Sequence, residues 1–255
     1  MSSDTIVELK GIGKTYETGV QALKDVNHDF PTGKLSTILG PSGCGKTTLL
    51  KIIGGLIQST TGEVWVKGKR VEGPGEERAF VFQDFALLPW ATVLRNVAFG
   101  LELRGVPKEQ RIEIAHKFIG EVGLTGFELS YPHQLSGGMR QRVGLARALT
   151  VDADIILMDE PFSSVDEQTR RKFQEDMLDL LQNRRKTVIF VTHSIEEAAY
   201  LSDLIVLLSA RPGSVSKVIK PNIDRCGKSP DEIRRDKNYL DVIDNIWCDL
   251  KVYLC

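Results

Sequence analysis

The residues with the clearest chemistry are those at positions 40–48, which read GPSGCGKTT. Their spacing matches the phosphate-loop pattern G-x-x-x-x-G-K-S/T, with Gly40, Gly45, Lys46 and Thr47 at its fixed positions. Glycines let the backbone curl around an anion so that several N–H groups face it, and a following helix adds the partial positive charge of its N-terminus. The stretch therefore predicts a nucleotide phosphate site, with the lysine on the outer phosphates and the threonine hydroxyl on Mg²⁺.

A second group of chemically useful residues is the acidic pair Asp159 and Glu160, which follows the apolar run 155–158. A continuous apolar run is typical of a strand buried in a parallel sheet. Carboxylates at the end of such a strand are costly to bury unless they hold a cation or a proton. The pair therefore favours Asp159 as a ligand of Mg²⁺ and Glu160 as the base that orients and deprotonates an attacking water. Solvated strand-end acids are the alternative interpretation.

Three further polar or aromatic residues lie close to strand-like runs. Gln83 closes the run 79–82, and His193 follows the run 188–191 after one threonine. Because open α/β sheets bind ligands at the carboxyl ends of their strands, this position favours contact of His193 with a transferring phosphoryl group. Gln83, on its own, is typical of a capped strand end. The ring of Tyr16 belongs either to the core or to a surface that stacks on adenine, and spacing leaves both interpretations open.

A second glycine-rich helix start occurs at Ser136, Gly137 and Gly138. The serine can cap a helix with its body at 140–149, and a plain cap with two loose glycines is one interpretation. A glycine-rich helix start is also an anion site. Because one nucleotide already has its phosphates held by the loop at 40–48, the economical arrangement places this second site on a nucleotide bound to another copy of the chain.

The elements that must position these residues can be predicted from hydrophobic periodicity. The predicted strands are 6–9, 20–30, 35–39, 62–66 (of edge type), 79–82, 155–158, 188–191 and 204–208, the last of the core. The predicted helices are 48–53, two between 93 and 122 that meet at Pro107, 140–149 and 167–181.

A tail begins near Pro221. Ser229 and Glu232 have the spacing of a capping box. Apolar residues then recur at helical spacing, which predicts a short amphipathic helix packed on the body. These apolar residues are Ile233, Leu240, Ile243, Trp247, Leu250 and Leu254.

Composition narrows the class of protein. The 255 residues carry a formal net charge of −1, so there is no charge footprint of nucleic-acid binding. No apolar run has the length needed to span a bilayer, and the N-terminus lacks the core of a signal peptide. We therefore expect a cytoplasmic protein unless a partner holds it at a membrane. The four cysteines at 44, 226, 248 and 255 have no metal-ligand spacing, which favours reduced thiols.

These motifs together resemble the nucleotide-binding subunit of an ATP-binding cassette (ABC) transporter over nearly the whole chain. GPSGCGKT is similar to the Walker A motif, LSGGMRQR at 135–142 to the signature motif, and IILMDEP at 155–161 to the Walker B motif. Single residues match four further elements of the family: Gln83 the Q-loop, Asp166 the D-loop, His193 the switch histidine and Tyr16 the aromatic A-loop. The family usually has leucine before the D-loop aspartate, where this chain has Val165.

Within the family, the stretch VFQDFALLPWATVLRNVAFGLELRG and the stretch PFSSVDEQTR are similar to importers of nitrate, sulfonate, taurine and related small anions. The Leu-Leu-Pro-Trp segment at 87–90 is apolar without helical or strand period. It is either core or an exposed patch that docks a partner. The tail from Pro221 is longer than this subfamily leads us to expect.

The resemblance implies an α/β P-loop NTPase fold: a RecA-like core with a mainly parallel sheet, an N-terminal antiparallel β-subdomain and a helical insertion subdomain. The expected domains are a nucleotide-binding domain at 1–220, with the insertion at about 85–150, and a helical tail at 221–255. The resemblance further implies that Glu160, His193 and Gln83 are catalytic. It also implies that Thr47, Gln83 and Asp159 hold Mg²⁺. The residues implied to contact ATP are Tyr16, Gly40, Pro41, Ser42, Gly43, Cys44, Gly45, Lys46, Thr47, Thr48, Ser136, Gly137, Gly138 and Asp166.

The resemblance also implies how the chain works. We expect an ATPase that drives import of a small anion by closing an ATP-sandwich dimer with a second copy of itself. Its other partners would be an integral membrane permease and, indirectly, a solute-binding protein, with no nucleic acid, at the cytoplasmic face of the membrane. The rival interpretations are a soluble ABC ATPase that acts on nucleic acid, the ribosome or cluster assembly, and the ATPase subunit of an ABC exporter.

Overall fold

The computed structural model describes residues 5–163, 165–182, 184–225 and 227–253. Leu254, Cys226 and Cys255 lie outside these described residues. The chain divides into two compact units, one made of the segments up to residue 75 and from 185 onward, and the other made of residues 76–184. The second unit contains the predicted insertion at 85–150 together with the strand before Asp159. The domain boundaries given above stay a prediction.

The strands in chain order are β1 (Thr5–Thr15), β2 (Gln21–Pro31), β3 (Leu35–Leu39), β4 (Thr61–Val66), β5 (Lys69–Arg70), β6 (Arg78–Val81), β7 (Ile155–Asp159), β8 (Thr187–Thr192), β9 (Leu204–Leu208) and β10 (Val215–Ile219). The helices are α1 (Lys46–Ile53), α2 (Val93–Leu103), α3 (Lys108–Glu121), α4 (Gly137–Thr150), α5 (Glu167–Gln182), α6 (Ile195–Leu201), α7 (Pro230–Arg235) and α8 (Lys237–Lys251).

An antiparallel sheet in the order β2-β1-β4-β5 forms part of the first unit. Its strands bury alternate apolar residues such as Val7 and Leu9, as expected when one face packs on a core. Two sequence-based expectations were wrong here. Strand β1 continues to Thr15, well past residue 9. Strand β4 is paired on both sides, with β1 and with β5, so it is not an edge strand.

The phosphate loop and His193 are positioned by parallel strands of the same unit. Strand β3 lies between β8 and β9 and runs parallel to both. All three strands are buried along their whole length, which explains the apolar runs of β8 and β9, whereas β3 also buries the hydroxyl groups of Ser36 and Thr37. Because parallel strands end at one edge of a sheet, the loop after β3 and the histidine after β8 lie at the same edge.

Strand β10 was missed by the sequence analysis, which expected β9 to be the last core strand. It pairs antiparallel with β9. Its five residues are exposed or half-buried, and its sequence VSKVI therefore lacks the apolar run that marks β8 and β9.

The unit at 76–184 has two parallel strands, β6 and β7, with helices α2, α3 and α4 packed on one another. Helix α3 begins at Lys108, directly after Pro107, as predicted. Helix α4 begins after Ser136, whose hydroxyl accepts a hydrogen bond from the Met139 N–H, so the predicted cap is confirmed. Strands β6 and β7 run in the same direction, so Gln83 and Asp159 lie at the same edge of this pair.

The tail differs from the single helix that was predicted. The capping box of Ser229 and Glu232 is present and starts α7, but extended backbone at Asp236 ends α7 after six residues and caps a new helix, α8. This break resets the helical phase. The buried face of α8 is therefore formed by Tyr239, Val242, Ile246 and Leu250. Leu240 and Trp247, which were predicted to pack inward, remain 47% and 46% exposed.

Within the described residues, every helix is too short or too polar to cross a membrane.

Candidate nucleotide site

The phosphate loop joins β3 to α1 in a conformation that requires glycine. Gly45 has a φ of 100°, and a Cβ there would lie 2.9 Å from the Ala22 carbonyl oxygen. Gly45 is also the N-cap residue of α1, and it has no side chain with which to cap the first N–H groups of the helix. These groups and the positive end of the helix remain available to an anion.

The buried cation of the loop is Lys46, which is only 6% exposed. Its ammonium donates hydrogen bonds to the carbonyl oxygens of Gly40 (2.8 Å) and Pro41 (3.0 Å). The charge is thereby held within the curl of the loop. Cys44 is buried beside it, and burial raises the pKa of its thiol, which stays neutral. A nest of N–H groups with one buried ammonium suits the phosphates of a nucleotide.

Tyr16 lies next to the start of α1. Its hydroxyl shares a hydrogen bond of 3.0 Å with the hydroxyl of Thr48, in the first turn of that helix. The ring is 40% exposed, and the Lys14 ammonium lies 5.4 Å from its centre. A core position is therefore excluded for this ring. The structure instead gives the phosphate loop an exposed aromatic neighbour, as stacking on a base requires.

His193 is exposed and lies close to the phosphate loop. Together with Gly40, Pro41 and Ser42 it lines one cavity of about 650 Å³, whose remaining walls are the start of α6 and one side of α8. The residue after it, Ser194, caps α6 by accepting from the Glu197 N–H at 3.2 Å. Strand β8 and helix α6 thus hold the histidine from both sides, and the loop and this histidine share one space.

The acidic pair lies at the end of β7 in the other unit. Asp159 is 3% exposed. Glu160 has a φ of 45°, in the left-handed region that non-glycine residues rarely occupy. The side-chain amide of Gln83 donates to the Glu160 carboxylate at 3.4 Å. The structure thus brings Gln83 and Glu160 together, and the strained backbone at Glu160 is typical of a functional position.

The second glycine-rich helix start belongs to the same unit as the acidic pair. Gly137 and Gly138 form the first turn of α4 after the Ser136 cap. A Cβ on Gly138 would lie 3.6 Å from a Val165 methyl group, next to Asp166. The Asp166 carboxylate accepts from the Thr169 N–H at 3.0 Å, and this backbone hydrogen bond lowers its pKa. The signature glycines and Asp166 therefore lie on adjoining helix starts.

Sequence reasoning missed two residues that fix the segment after Gln83. Arg147, in α4, donates to the carbonyl oxygens of Phe85 (2.8 Å) and Ala86 (2.6 Å), both of which have positive φ. The sequence signal for Arg147 is its position among the apolar residues of α4, because an arginine in such surroundings is expected to have a buried hydrogen-bonding role.

The other missed residue is Asn96, which is fully buried in α2. Its amide oxygen accepts from the Leu88 N–H at 2.8 Å. Its NH₂ group lies 3.0–3.2 Å from the carbonyl oxygens of Leu88, Ala91 and Thr92. Arg147 and Asn96 therefore hold the two ends of the 85–92 segment, and between them Trp90 is 70% exposed. The 87–90 stretch contains an exposed tryptophan, as an exposed patch requires.

Comparison with known proteins decides the family. A family model described as ABC transporter matches residues 23–163, more than half of the chain. The chain belongs to the ABC transporter family. It is 55% identical over 222 residues to an uncharacterized ABC transporter ATP-binding protein of Methanocaldococcus jannaschii, covering 86% of this chain and 83% of that protein. It is 48% identical over 225 residues to the taurine import ATP-binding protein TauB of Escherichia coli, covering 87% of this chain and 88% of that protein.

A solved ABC structure agrees with this assignment. The chain is similar to a dimeric ATP-binding cassette in a post-hydrolysis state bound to ADP and Pi, with a TM-score of 0.76 and 35% identity. The match covers 84% of this chain and 98% of that cassette. The resemblance to an ATP-binding subunit of importer type, the P-loop NTPase fold class and the assignment of the chain as an ATPase are confirmed.

We expect replacement of Asn96 to release the 85–92 segment of this ABC subunit. Asn96→Ala leaves the Leu88 N–H without its partner and should lower the free energy of unfolding by about 3 kcal/mol. The isosteric Asn96→Asp keeps that acceptor but sets a carboxylate against three carbonyl oxygens. Its folded-state pKa should lie above the unfolded value, so its deficit relative to the parent chain should grow from pH 4 to pH 7.

Urea denaturation of the two variants at both pH values measures these effects. Equal stability of the parent chain and Asn96→Ala would show that this amide does not hold the segment.

Proposed function

We propose that this ABC subunit hydrolyses ATP to drive import of a small anion such as nitrate, a sulfonate, taurine or bicarbonate. The observation that carries the proposal is the 48% identity to a taurine import ATP-binding protein, of which the chain covers 88%. The resemblance of the 81–105 stretch to this group of importers supports the same class of solute.

The proposed ATP site centres on the phosphate loop. The N–H groups of the loop at 40–48 and the buried Lys46 hold the phosphates, and the Tyr16 ring stacks on adenine. Thr47, Gln83 and Asp159 offer only oxygen ligands, the kind that Mg²⁺ prefers. Bound there, Mg²⁺ would neutralise negative charge on the phosphates.

Glu160 is proposed to orient the attacking water and to take its proton. Gln83 is proposed to act at the same place, because its side-chain amide donates a hydrogen bond to the Glu160 carboxylate. His193 would contact the transferring phosphoryl group, where a hydrogen-bond donor stabilises charge that develops in the transition state. The open cavity that His193 shares with Gly40, Pro41 and Ser42 supports this role.

A second copy of the chain would complete each site. Ser136, Gly137 and Gly138 of one copy would contact the nucleotide on the phosphate loop of the other, near Asp166. The dimeric cassette with ADP and Pi is the relative that supports this arrangement. Such a two-fold interface uses the same pair of patches twice. Binding of ATP then favours the closed dimer, and hydrolysis releases it.

Transport requires a membrane partner, because the solute needs a path through the membrane. Closure of the ATP-bound dimer must therefore move the protein that provides this path. We propose that an integral membrane permease docks at Gln83 and the exposed 87–90 stretch, which Arg147 and Asn96 hold in place. The permease would hold the chain at the cytoplasmic face of the membrane, and a solute-binding protein would supply the anion. Substrate choice would then lie in those partners.

Uptake measurements test this function. A strain that lacks the chain should fail to take up one labelled anion from a panel of nitrate, taurine, alkanesulfonate, bicarbonate and cyanate. The parent chain should restore that uptake. Glu160→Gln should restore none of it, although the variant protein accumulates and binds ATP, because removal of a general base typically costs about 100-fold or more in rate. Unchanged uptake of every anion in the deletion strain would contradict the proposed import.

Stacking by Tyr16 can be separated from its hydrogen bond to Thr48. Tyr16→Ala removes the ring and should raise the KM for ATP about tenfold, since an aromatic stack on a base is worth about 1–3 kcal/mol. The control Tyr16→Phe keeps the ring and loses only the hydroxyl, so its KM should stay within about twofold of the parent value. Steady-state ATP hydrolysis measures both. An unchanged KM for Tyr16→Ala would remove the ring from the site.

A further inference from the structure

The exposed face of α8 is the largest feature of the tail that the proposed function leaves unused. One face of the helix packs into the first unit through Tyr239, Val242, Ile246 and Leu250. The side of α8 next to this buried face carries Leu240 and Trp247, which are 47% and 46% exposed, with the half-buried Ile243 between them. A tryptophan flanked by aliphatic residues on an exposed helix face is typical of a contact surface.

Helix α8 and the segment before it pack on α6, the helix that follows His193. The Tyr239 hydroxyl donates to the Glu196 carbonyl oxygen at 3.4 Å. The Arg234 guanidinium lies 4.5 Å from the centre of the Tyr200 ring. The Arg225 guanidinium donates to the carbonyl oxygen of Tyr200 at 2.9 Å. Tyr239 thus ties α8 itself to α6, and Arg234 and Arg225 tie the segment before α8 to the same helix, so a partner that covers the exposed residues of α8 loses little entropy in ordering them.

The same face adjoins the phosphate loop. Ile243 and Trp247 line the cavity of about 650 Å³ whose other residues include Pro41, Ser42 and His193. In the proposed closed dimer, the signature residues of a second copy cover the nucleotide on this loop. The surface that the second copy must cover therefore continues from the loop, across the cavity, onto α8.

We propose that the exposed face of α8, centred on Trp247, is part of the interface with the second copy in the ATP-bound dimer. This inference rests on the proposed function, which supplies the second copy. Large aromatic side chains contribute most to interfaces when they become fully buried at the centre of a contact. The tail thereby adds affinity to the closed dimer, beside the loop that holds the ATP.

A fluorescence experiment reports burial of this residue directly. The chain has three tryptophans, so the full-length Glu160→Gln variant with Trp65→Phe and Trp90→Phe keeps Trp247 as its only one. Sedimentation with Mg²⁺ and ATP identifies the concentrations at which the chain is monomeric and dimeric. Acrylamide quenching of Trp247 should fall at least threefold between ATP-bound monomer and ATP-bound dimer. Quenching that stays equal in the two states would overturn the inference.

A pair of substitutions tests the contribution to affinity. In the Glu160→Gln background, Trp247→Ala should raise the dimer Kd at least tenfold, while the Kd for ATP measured on the dilute monomer stays unchanged. The control is Leu103→Ala, which removes an apolar residue that is 73% exposed at the end of α2. That variant should dimerise like the parent.

The outcomes separate this inference from the proposed function. If ATP-bound dimers form with the same Kd in Trp247→Ala, the tail lies outside the interface, and the closed dimer of the proposed function stands. If Glu160→Gln binds ATP and remains monomeric at every concentration, the proposed ATP-bound dimer is wrong, and the inference about α8 fails with it.

Discussion

The central constraint on this structure is that the loop between β3 and α1 must keep its N–H groups and a buried cation in a geometry that suits the phosphates of a nucleotide. A polyanion needs several N–H groups and a cation fixed in place before it arrives, because water competes well for flexible donors. Gly45 supplies the left-handed turn, and the buried Lys46 supplies the charge, tied to the carbonyl oxygens of Gly40 and Pro41. The fully buried strand β3 gives this loop a rigid origin.

The two units divide the chemistry between them. The unit that contains β3 and β8 carries the phosphate loop, Tyr16 and His193, which the proposed function assigns to nucleotide binding and to contact with the transferring phosphoryl group. The unit at 76–184 carries Gln83 and the acidic pair, proposed for hydrolysis, and the signature glycines, proposed to contact the nucleotide of a second copy. In the proposed closed dimer, the free energy of ATP binding stabilises the contact between two copies. Formation of this contact moves the membrane partner.

The local conformation of the motifs was predicted better from sequence than the contacts that surround them. The local conformation at motif positions such as Gly45, Lys46 and Ser136 is set by backbone chemistry, which can be predicted directly from the residue types. Asn96 and Arg147 bond to backbone groups that only the folded chain brings near them, so the sequence marks Arg147 as unusual among apolar residues but does not reveal the partners of either side chain. The face of α8 was predicted wrongly because the break at Asp236 shifts the helical phase, and β10 was missed because its exposed residues lack an apolar run.

The central claim is that each ATP is held between the phosphate loop of one copy and the signature residues of another. Mixing two defective chains tests it: Lys46→Ala disables the loop, and Ser136→Arg disables the signature. Either chain alone should hydrolyse almost no ATP. An equal mixture should regain about a quarter of the parent rate, since half of its dimers contain one intact site of two. A mixture that stays as inactive as its components would contradict the shared site.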